Sequence, residues 1–266
     1  MSSEGAAVPK LPARRALSTL RVLYEDPHLL VVDKPAGLHT APLRAGEEAT
    51  LLAEVISRYP EVASVPGLRA PEHGLLHRLD RETSGVVVFA RSPEAFAALR
   101  EQFAGEAVRK EYRAVCLPGA GGTDAAQGPV RIQSRFAPYG PGRRMVRVVL
   151  PESGAAARRK AGEQQYLTEA RVLEEGAGFA LVGAWLRRGF RHQVRAHLAY
   201  LRLPILGDPL YGVARPAGVA PRLYLHAAAV DLAHPLTGLA LRIESPTPAE
   251  FAAALAASPE TREQLR

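Results

Sequence analysis

The segment from His77 to Phe89 constrains the fold of this chain more than any other. It places a charged, turn-forming stretch, residues 77–85 (HRLDRETSG), directly before the apolar run Val86-Val87-Val88-Phe89. Such a run, bounded by polar residues, predicts a buried strand. Polar loops held by buried strands are common positions for reactive side chains. The segment therefore predicts a core strand and, at Asp80, a candidate functional acid.

Short strands and helices follow one another without the regular alternation of a doubly wound sheet. Strands are predicted near residues 20–24, 29–32, 86–89, 108–117 and 179–186, and helices over 50–58, 93–104 and 192–201. Thr247 to Glu250 predicts a capping box for a last helix anchored by Phe251 and Leu255. Residues 118–142, rich in glycine, proline and polar residues, predict a long loop. The patterns indicate an α+β fold: a mixed, largely antiparallel sheet flanked by helices, with a central active-site cleft.

The length and composition favour one folded domain. The chain has 266 residues, of which 47% are hydrophobic, and no internal repeat. We expect a flexible tail over residues 1–20 and a single domain over 21–266. No apolar run approaches the roughly 18 residues of a membrane helix, and no signal peptide is visible, so we expect a soluble cytoplasmic protein. The one cysteine, Cys116, excludes internal disulfides and any multi-cysteine zinc site.

The distribution of charge points to a polyanion as partner. The net charge is +7, and basic residues concentrate between Arg131 and Lys160 and again between Arg187 and Arg202. Such clusters favour a phosphate-binding face, although a solvated surface is the alternative interpretation. Taken singly, Asp80 would be a turn or cap residue and Tyr112 a core aromatic.

A family resemblance changes these interpretations. Residues 77–85 resemble the catalytic motif of the RluA-type pseudouridine synthases, His-Arg-Leu-Asp, two variable residues and Thr-Ser-Gly, at every fixed position. Further similar segments follow in the family's order, from about residue 21 to residue 251. They are Tyr24–Asp26, Leu30–Gly37, Lys110–Tyr112, His192–Leu198, Gly207–Gly212, Leu225–Ala227 and His234–Pro235.

The resemblance implies an enzyme that isomerises uridine in structured RNA, either ribosomal or transfer RNA. The reaction needs no cofactor, because the product has the same atoms as the substrate. The target base must be flipped out of its stack. Asp80 would then attack C1′ as a nucleophile or remove the 2′ proton to give a glycal, and both routes remain open. Tyr112 would stack against the flipped base and could help to remove the C5 proton.

The resemblance also implies an arginine partner for Asp80. The family's third motif reads Gly-Arg-Thr-His-Gln, whereas this chain has Gly189-Phe190-Arg191-His192-Gln193, so the expected arginine position is Phe190. We predict that Arg191 takes this role, with Arg188 as the second candidate. A shift of one residue would require a local bulge.

Other arginines are predicted to bind the substrate RNA. They are Arg78, Arg81, Arg188, Arg195, Arg143 and Arg144. Arg78 and Arg81 could equally be structural ion-pair partners, and Arg191, Arg195 and Arg202 could line one exposed edge of a helix. Because only about twenty residues precede the first predicted strand, we expect no S4-type RNA-binding domain, which many members of the family carry. We therefore expect recognition to rest on residues 118–147 and on the arginine-rich helix.

No metal or nucleotide cofactor is expected. His73 and His77 are four residues apart, but no HExxH pattern, P-loop or GxGxxG string is present. We expect a monomer. Two alternatives to the synthase remain. One is an inactive RNA-binding or ribosome-assembly factor on the same fold, and the other is a hydrolase that leaves an abasic RNA site and releases free uracil.

Overall fold

The computed structural model describes residues 20–44, 47–69, 71–119, 125 and 128–257. The predicted tail, residues 1–20, lies outside the described residues except for Leu20. Within the described residues the strands are β1 (Arg21–Glu25), β2 (Leu29–Lys34), β3 (Ser84–Ala90), β4 (Arg109–Cys116), β5 (Val130–Tyr139), β6 (Met145–Val149), β7 (Tyr166–Glu175), β8 (Ala180–Leu186), β9 (Leu225–Ala233) and β10 (Ala240–Glu244). The α-helices are α1 (Leu51–Arg58), α2 (Pro93–Ala104), α3 (Ala155–Lys160), α4 (Gln193–Tyr200) and α5 (Glu250–Ala256). Short 3-10 helices span Pro60–Ser64 and Pro141–Arg143.

The ten strands form one mixed sheet. Its order is β1-β2-β3-β9-β4-β8-β7-β5-β6, and β10 pairs with β9 off this path. All pairs are antiparallel except β3 and β9, which run parallel at Ser84–Gly85 and His226–Ala227. One edge of β9 pairs with β4, and its other edge pairs first with β3 and then with β10. The predicted α+β fold with a mixed, largely antiparallel sheet is confirmed.

The strand predicted at Val86–Phe89 is the centre of β3, in which every residue is buried. β2 pairs with β3 in unbroken register, from Leu29 opposite Ala90 to Lys34 opposite Gly85. One face of this pair packs against α1, and the other face packs against α2. Because helices cover both faces, the two strands carry continuous apolar runs instead of alternating polar and apolar residues.

Side chains cap the starts of the first two helices. The Thr50 side chain accepts a hydrogen bond from Ala53 N at the start of α1, and Ser92 does the same from Ala95 N at the start of α2. The capping box at Thr247–Glu250 was wrong. Ahead of α5 a backbone turn from Phe251 N to the Pro248 carbonyl (2.9 Å) replaces the side-chain cap. Phe251 and Leu255 are buried, as predicted.

The long loop predicted over residues 118–142 was wrong in its second half. Residues 120–124, 126 and 127 lie outside the described part, but β5 spans Val130–Tyr139 and forms an antiparallel hairpin with β6. Burial alternates along β5, with Ile132, Ser134 and Phe136 inside. The polar residues between them, and Pro138, weaken the strand pattern in the sequence. None of the helices in the described residues is both long and apolar enough to cross a membrane.

Candidate active site

Backbone contacts hold the Asp80 loop on both sides of the acid. Before it, the Thr40 hydroxyl donates to the Leu79 carbonyl (2.9 Å) and accepts from Leu79 N (3.1 Å). After it, the ammonium of buried Lys34 donates to the Arg81 carbonyl (3.0 Å). The Asp80 side chain remains 27% exposed. The loop therefore presents one carboxylate to solvent from a fixed backbone.

The backbone geometry explains why the 77–85 segment ends in glycine. Gly85 has a φ of +114°, and a Cβ at this position would lie 2.1 Å from the Ala227 carbonyl oxygen of β9. Only glycine permits both this backbone conformation and this close approach. Next to it, Ser84 Oγ lies 2.9 Å from His226 Nδ1. The Thr-Ser-Gly part of the motif thus joins β3 to β9 just beyond Asp80.

Arg195 pairs with Asp80. One terminal nitrogen of its guanidinium lies 2.8 Å from Asp80 Oδ2, and the remaining nitrogens donate two hydrogen bonds of 2.7 Å to Asp208. The Arg195 side chain is 7% exposed and that of Asp208 is fully buried. Two carboxylates therefore share one buried cation, and the bidentate contact with Asp208 fixes the direction in which Arg195 reaches Asp80.

Asp208 is itself held in place by backbone donors. Its Oδ1 accepts hydrogen bonds from the amides of Leu210 (2.9 Å) and Tyr211 (3.2 Å). Burial alone would lower the pKa of Arg195, but its hydrogen bonds and charge interaction with Asp208, followed by the charge of Asp80, raise that pKa overall. The guanidinium therefore stays charged and supplies a permanent positive charge beside Asp80.

The prediction that Arg191 pairs with Asp80 was wrong, and so was the second candidate. Arg191 lies just before α4, and its guanidinium donates to the carbonyls of Arg143 (2.8 Å) and Met145 (3.3 Å). Arg188 donates to the Ala104 carbonyl at the end of α2 (2.6 Å). Asp80 pairs instead with Arg195, one helical turn after Arg191, so no bulge is needed.

The prediction that Arg195 lies on an exposed helix edge was also wrong. Arg195 lies on α4 among buried neighbours, from Gln193 to Leu198. One signal could have located it. A single arginine in an otherwise uncharged helical stretch, followed by an acid within the next turn-rich segment, indicates a buried ion pair.

Phe190 occupies the position where the resemblance led us to expect an arginine. Its ring is 36% exposed and stacks on Phe136 with parallel planes and a centroid separation of 5.0 Å. Its backbone N–H donates to the side-chain oxygen of Gln193 (2.9 Å), which helps to fix the start of α4. Phe190 therefore replaces an arginine outside the Asp80 ion pair and leaves that pair intact.

Tyr112 lies on β4, where it packs against two separate groups of core side chains. Burial, and then the negative charge of Asp80, raise the pKa of its phenol. The ring is therefore close enough to Asp80 to sense its charge, and the hydroxyl stays protonated at physiological pH. A neutral aromatic face next to the acid suits the packing of a planar base.

The other predicted substrate-binding arginines lie on the surface. Arg78 pairs with Glu72 (3.4 Å), and Arg81 donates to the Gly37 carbonyl (3.1 Å). Arg143 and Arg144 are exposed at the turn between β5 and β6. Within the described residues, no group of three or more His, Cys, Asp or Glu side chains could hold a metal ion.

Comparisons of the sequence with known proteins all point to RNA pseudouridine synthases. A family model described as RNA pseudouridylate synthase matches residues 28–200, more than half of the chain. The chain is 34% identical over 244 residues to the ribosomal large subunit pseudouridine synthase D of Xanthomonas campestris, covering 87% of this chain and 67% of that protein. It is also 34% identical to the protein of the same name from Pseudomonas aeruginosa, covering 87% of this chain and 69% of that protein.

A solved structure also shares the fold. Human RNA pseudouridylate synthase domain containing 1 superposes with a TM-score of 0.66 at 22% identity, covering 94% of each chain. At this identity the likeness concerns the fold alone.

Proposed function

Because this chain belongs to the RNA pseudouridylate synthase family and isomerises uridine in RNA, we propose that Asp80 is the carboxylate that performs the reaction. The observation that carries this proposal is the Asp80–Arg195 pair. Asp80 is the partly exposed end of a buried charge network, and Arg195 balances its negative charge from behind. The site thereby presents to a ligand one carboxylate that is paired with a buried guanidinium.

The reaction breaks the N1–C1′ bond of uridine and forms a C5–C1′ bond. The uracil turns between the two steps, N1 gains a proton and C5 loses one, so the overall change is an isomerisation. Asp80 either attacks C1′ or removes the 2′ proton, and both steps require its ionised form. Tyr112 then supports the detached uracil as a neutral aromatic surface beside the acid.

The substrate class that we propose is large-subunit ribosomal RNA. The relatives that share 34% identity carry this RNA in their names. The tip of the β5–β6 hairpin offers a surface suited to it. Arg143 and Arg144 are exposed there, and the Arg147 guanidinium lies 4.1 Å over the ring of exposed Tyr139. Cationic and aromatic side chains together suit phosphates and unpaired bases.

Reversing charge at this tip is expected to weaken RNA binding and its dependence on salt. A plot of log affinity against log salt has a negative slope. For Arg143→Glu/Arg144→Glu, this slope should become shallower by about one to two, because up to two phosphate contacts are lost. Filter binding or fluorescence anisotropy at several salt concentrations measures this slope. Arg58→Glu/Arg100→Glu, on α1 and α2 in the other half of the sheet, provides the same change of net charge. Equal slopes for the two variants would refute the assignment.

Substitution of Arg191 is expected to weaken RNA binding for a different reason. Its guanidinium connects the tip of the β5–β6 hairpin to the start of α4 through hydrogen bonds to two backbone carbonyls. Arg191→Ala should raise the RNA concentration for half-maximal rate by about three- to tenfold, the loss of one or two hydrogen bonds. The rate at saturating RNA should stay within about twofold. Arg187→Ala, which removes similar contacts to Glu106 and Ala107, is the control. A collapse of the saturated rate would mean that Arg191 serves the reaction itself.

Release of tritium from RNA that contains [5-³H]uridine tests the proposed function. Isomerisation must release the C5 hydrogen into water, so the wild-type protein should release tritium from a large-subunit ribosomal RNA transcript. Release of free uracil would instead identify a glycosidic hydrolase. Binding without either product would identify an inactive RNA-binding factor, an alternative that the intact Asp80–Arg195 pair does not favour.

We further propose that residues 21–266 form one catalytic domain that works as a monomer in the cytoplasm. All of the side chains assigned to the reaction come from a single chain, and the sheet runs through all of its strands. An isomerisation that conserves every atom requires no redox cofactor or energy source. The expected partner is RNA alone.

A further inference from the structure

His192 faces the catalytic acid from a strained backbone. It directly precedes α4 and has a φ of +58°, a left-handed conformation that is unusual for histidine. Its side chain is 13% exposed, and its Nε2 lies 3.8 Å from Asp80 Oδ2. Strain of this kind is retained where the surrounding structure requires a particular side-chain direction. The imidazole therefore lies beside the partly exposed carboxylate of Asp80.

Tyr211 fixes which nitrogen of His192 carries the proton. The backbone N–H of Val146 donates to the Tyr211 hydroxyl oxygen (2.6 Å), and this hydroxyl lies 3.0 Å from His192 Nδ1. Burial lowers the pKa of His192 against the opposing charge of Asp80, so the ring is neutral. A hydroxyl that already accepts from Val146 can donate its own proton to Nδ1. The ring proton is then on Nε2, which faces Asp80.

The N–H of Nε2 is available to a ligand. A separation of 3.8 Å from Asp80 is too long for a hydrogen bond, and the structure gives Nε2 no other hydrogen-bond partner among the described residues. A carboxylate that acts at C1′ or at C2′ brings the ribose against Asp80. The 2′ oxygen is bonded to C2′, so it lies beside the carboxylate, on the side where the imidazole Nε2 is within reach.

We propose that His192 donates a hydrogen bond from Nε2 to the 2′-hydroxyl of the target nucleotide, and that this bond selects ribose over deoxyribose. The inference rests on the proposed function, since it places the target sugar at Asp80. The 2′-hydroxyl is the group by which a protein can distinguish RNA from DNA at one position. His192 is thus a specificity-determining residue, and Tyr211 positions it.

The test compares two inhibitors of the tritium-release reaction. Both are the shortest fragment of large-subunit ribosomal RNA that the wild type modifies, with either uridine or 2′-deoxyuridine at the target position. For the wild type, the deoxy fragment should bind about tenfold more weakly, the value of one hydrogen bond. His192→Asn keeps an acceptor for Tyr211 and tolerates the left-handed backbone, but it cannot reach the sugar. Its two inhibition constants should agree within about twofold.

His192→Gln is the matched variant. Its amide nitrogen can occupy the place of Nε2, so most of the preference for ribose should remain. Wild-type preference in His192→Asn, with or without lower activity, would overturn the inference, since a purely structural residue would leave the ratio unchanged. Loss of the preference in both variants would overturn the assignment to Nε2. Absence of tritium release by the wild type would instead overturn the proposed function.

Discussion

Asp80→Asn is expected to lower the single-turnover rate of pseudouridine formation by about a thousandfold or more, with the protein still folded. The amide can neither attack C1′ nor accept the 2′ proton, and loss of an acid–base group typically costs 10²–10⁴-fold. The decisive measurement is the rate at saturating RNA, because the variant should still bind its substrate.

The stability of this variant should change by no more than about 1 kcal/mol. Asp80 is partly exposed, the asparagine oxygen can still accept from Arg195, and Asp208 continues to hold Arg195 in place. Glu82→Gln removes a charge from the same loop, at a side chain that is 45% exposed, and should leave the rate nearly unchanged. A rate within tenfold of the wild type for Asp80→Asn would exclude Asp80 as the catalyst.

Arg195→Met is expected to remove activity and also to destabilise the fold by about 3–5 kcal/mol. The substitution leaves the fully buried carboxylate of Asp208 without its cation, and an uncompensated buried charge has a cost of this size. Urea unfolding measures the loss of stability, and the tritium assay measures the loss of activity.

The double variant Arg195→Met/Asp208→Asn separates the two effects. It removes both buried charges, while the asparagine oxygen can still accept from the amides of Leu210 and Tyr211. We expect it to regain most of the lost stability, because replacing a whole buried ion pair is far less costly than breaking it. Activity should remain lost, since Asp80 still lacks its cation. Recovered activity would show that Arg195 serves only the fold.

The first part of the fold could be predicted from local sequence. β2, β3, α1 and α2 carry strong apolar patterns, and the side chains of Thr50 and Ser92 cap the two helices. Strand β9 gives no such signal, because its centre is the alanine-rich stretch Ala227-Ala228-Ala229. It becomes a strand through its pairing with β3, β4 and β10. Its register depends on contacts that are distant in sequence, which local propensity does not contain.

In the candidate site, too, only the features set by local sequence could be predicted. Asp80 and Tyr112 follow from the segments in which they lie, but the partner of Asp80 depends on the direction of a side chain. Arg191 and Arg195 are four residues apart, so spacing places them near each other. Only the start of α4 at Gln193 decides that Arg195 points inward to Asp208 while Arg191 reaches the β5–β6 hairpin. The stacking of Phe190 on Phe136 and the hydrogen bond from Gln193 to Thr168 stabilise that helix boundary, and the sequence does not reveal either contact.

Mapping of pseudouridine across the transcriptome tests the central claim most directly. Three strains are compared: the wild type, a deletion of the gene, and the deletion carrying Asp80→Asn. We predict that at least one pseudouridine in large-subunit ribosomal RNA disappears on deletion and stays absent with Asp80→Asn. Restoration of that site by the Asp80→Asn protein would contradict the assignment of Asp80 as the catalytic acid.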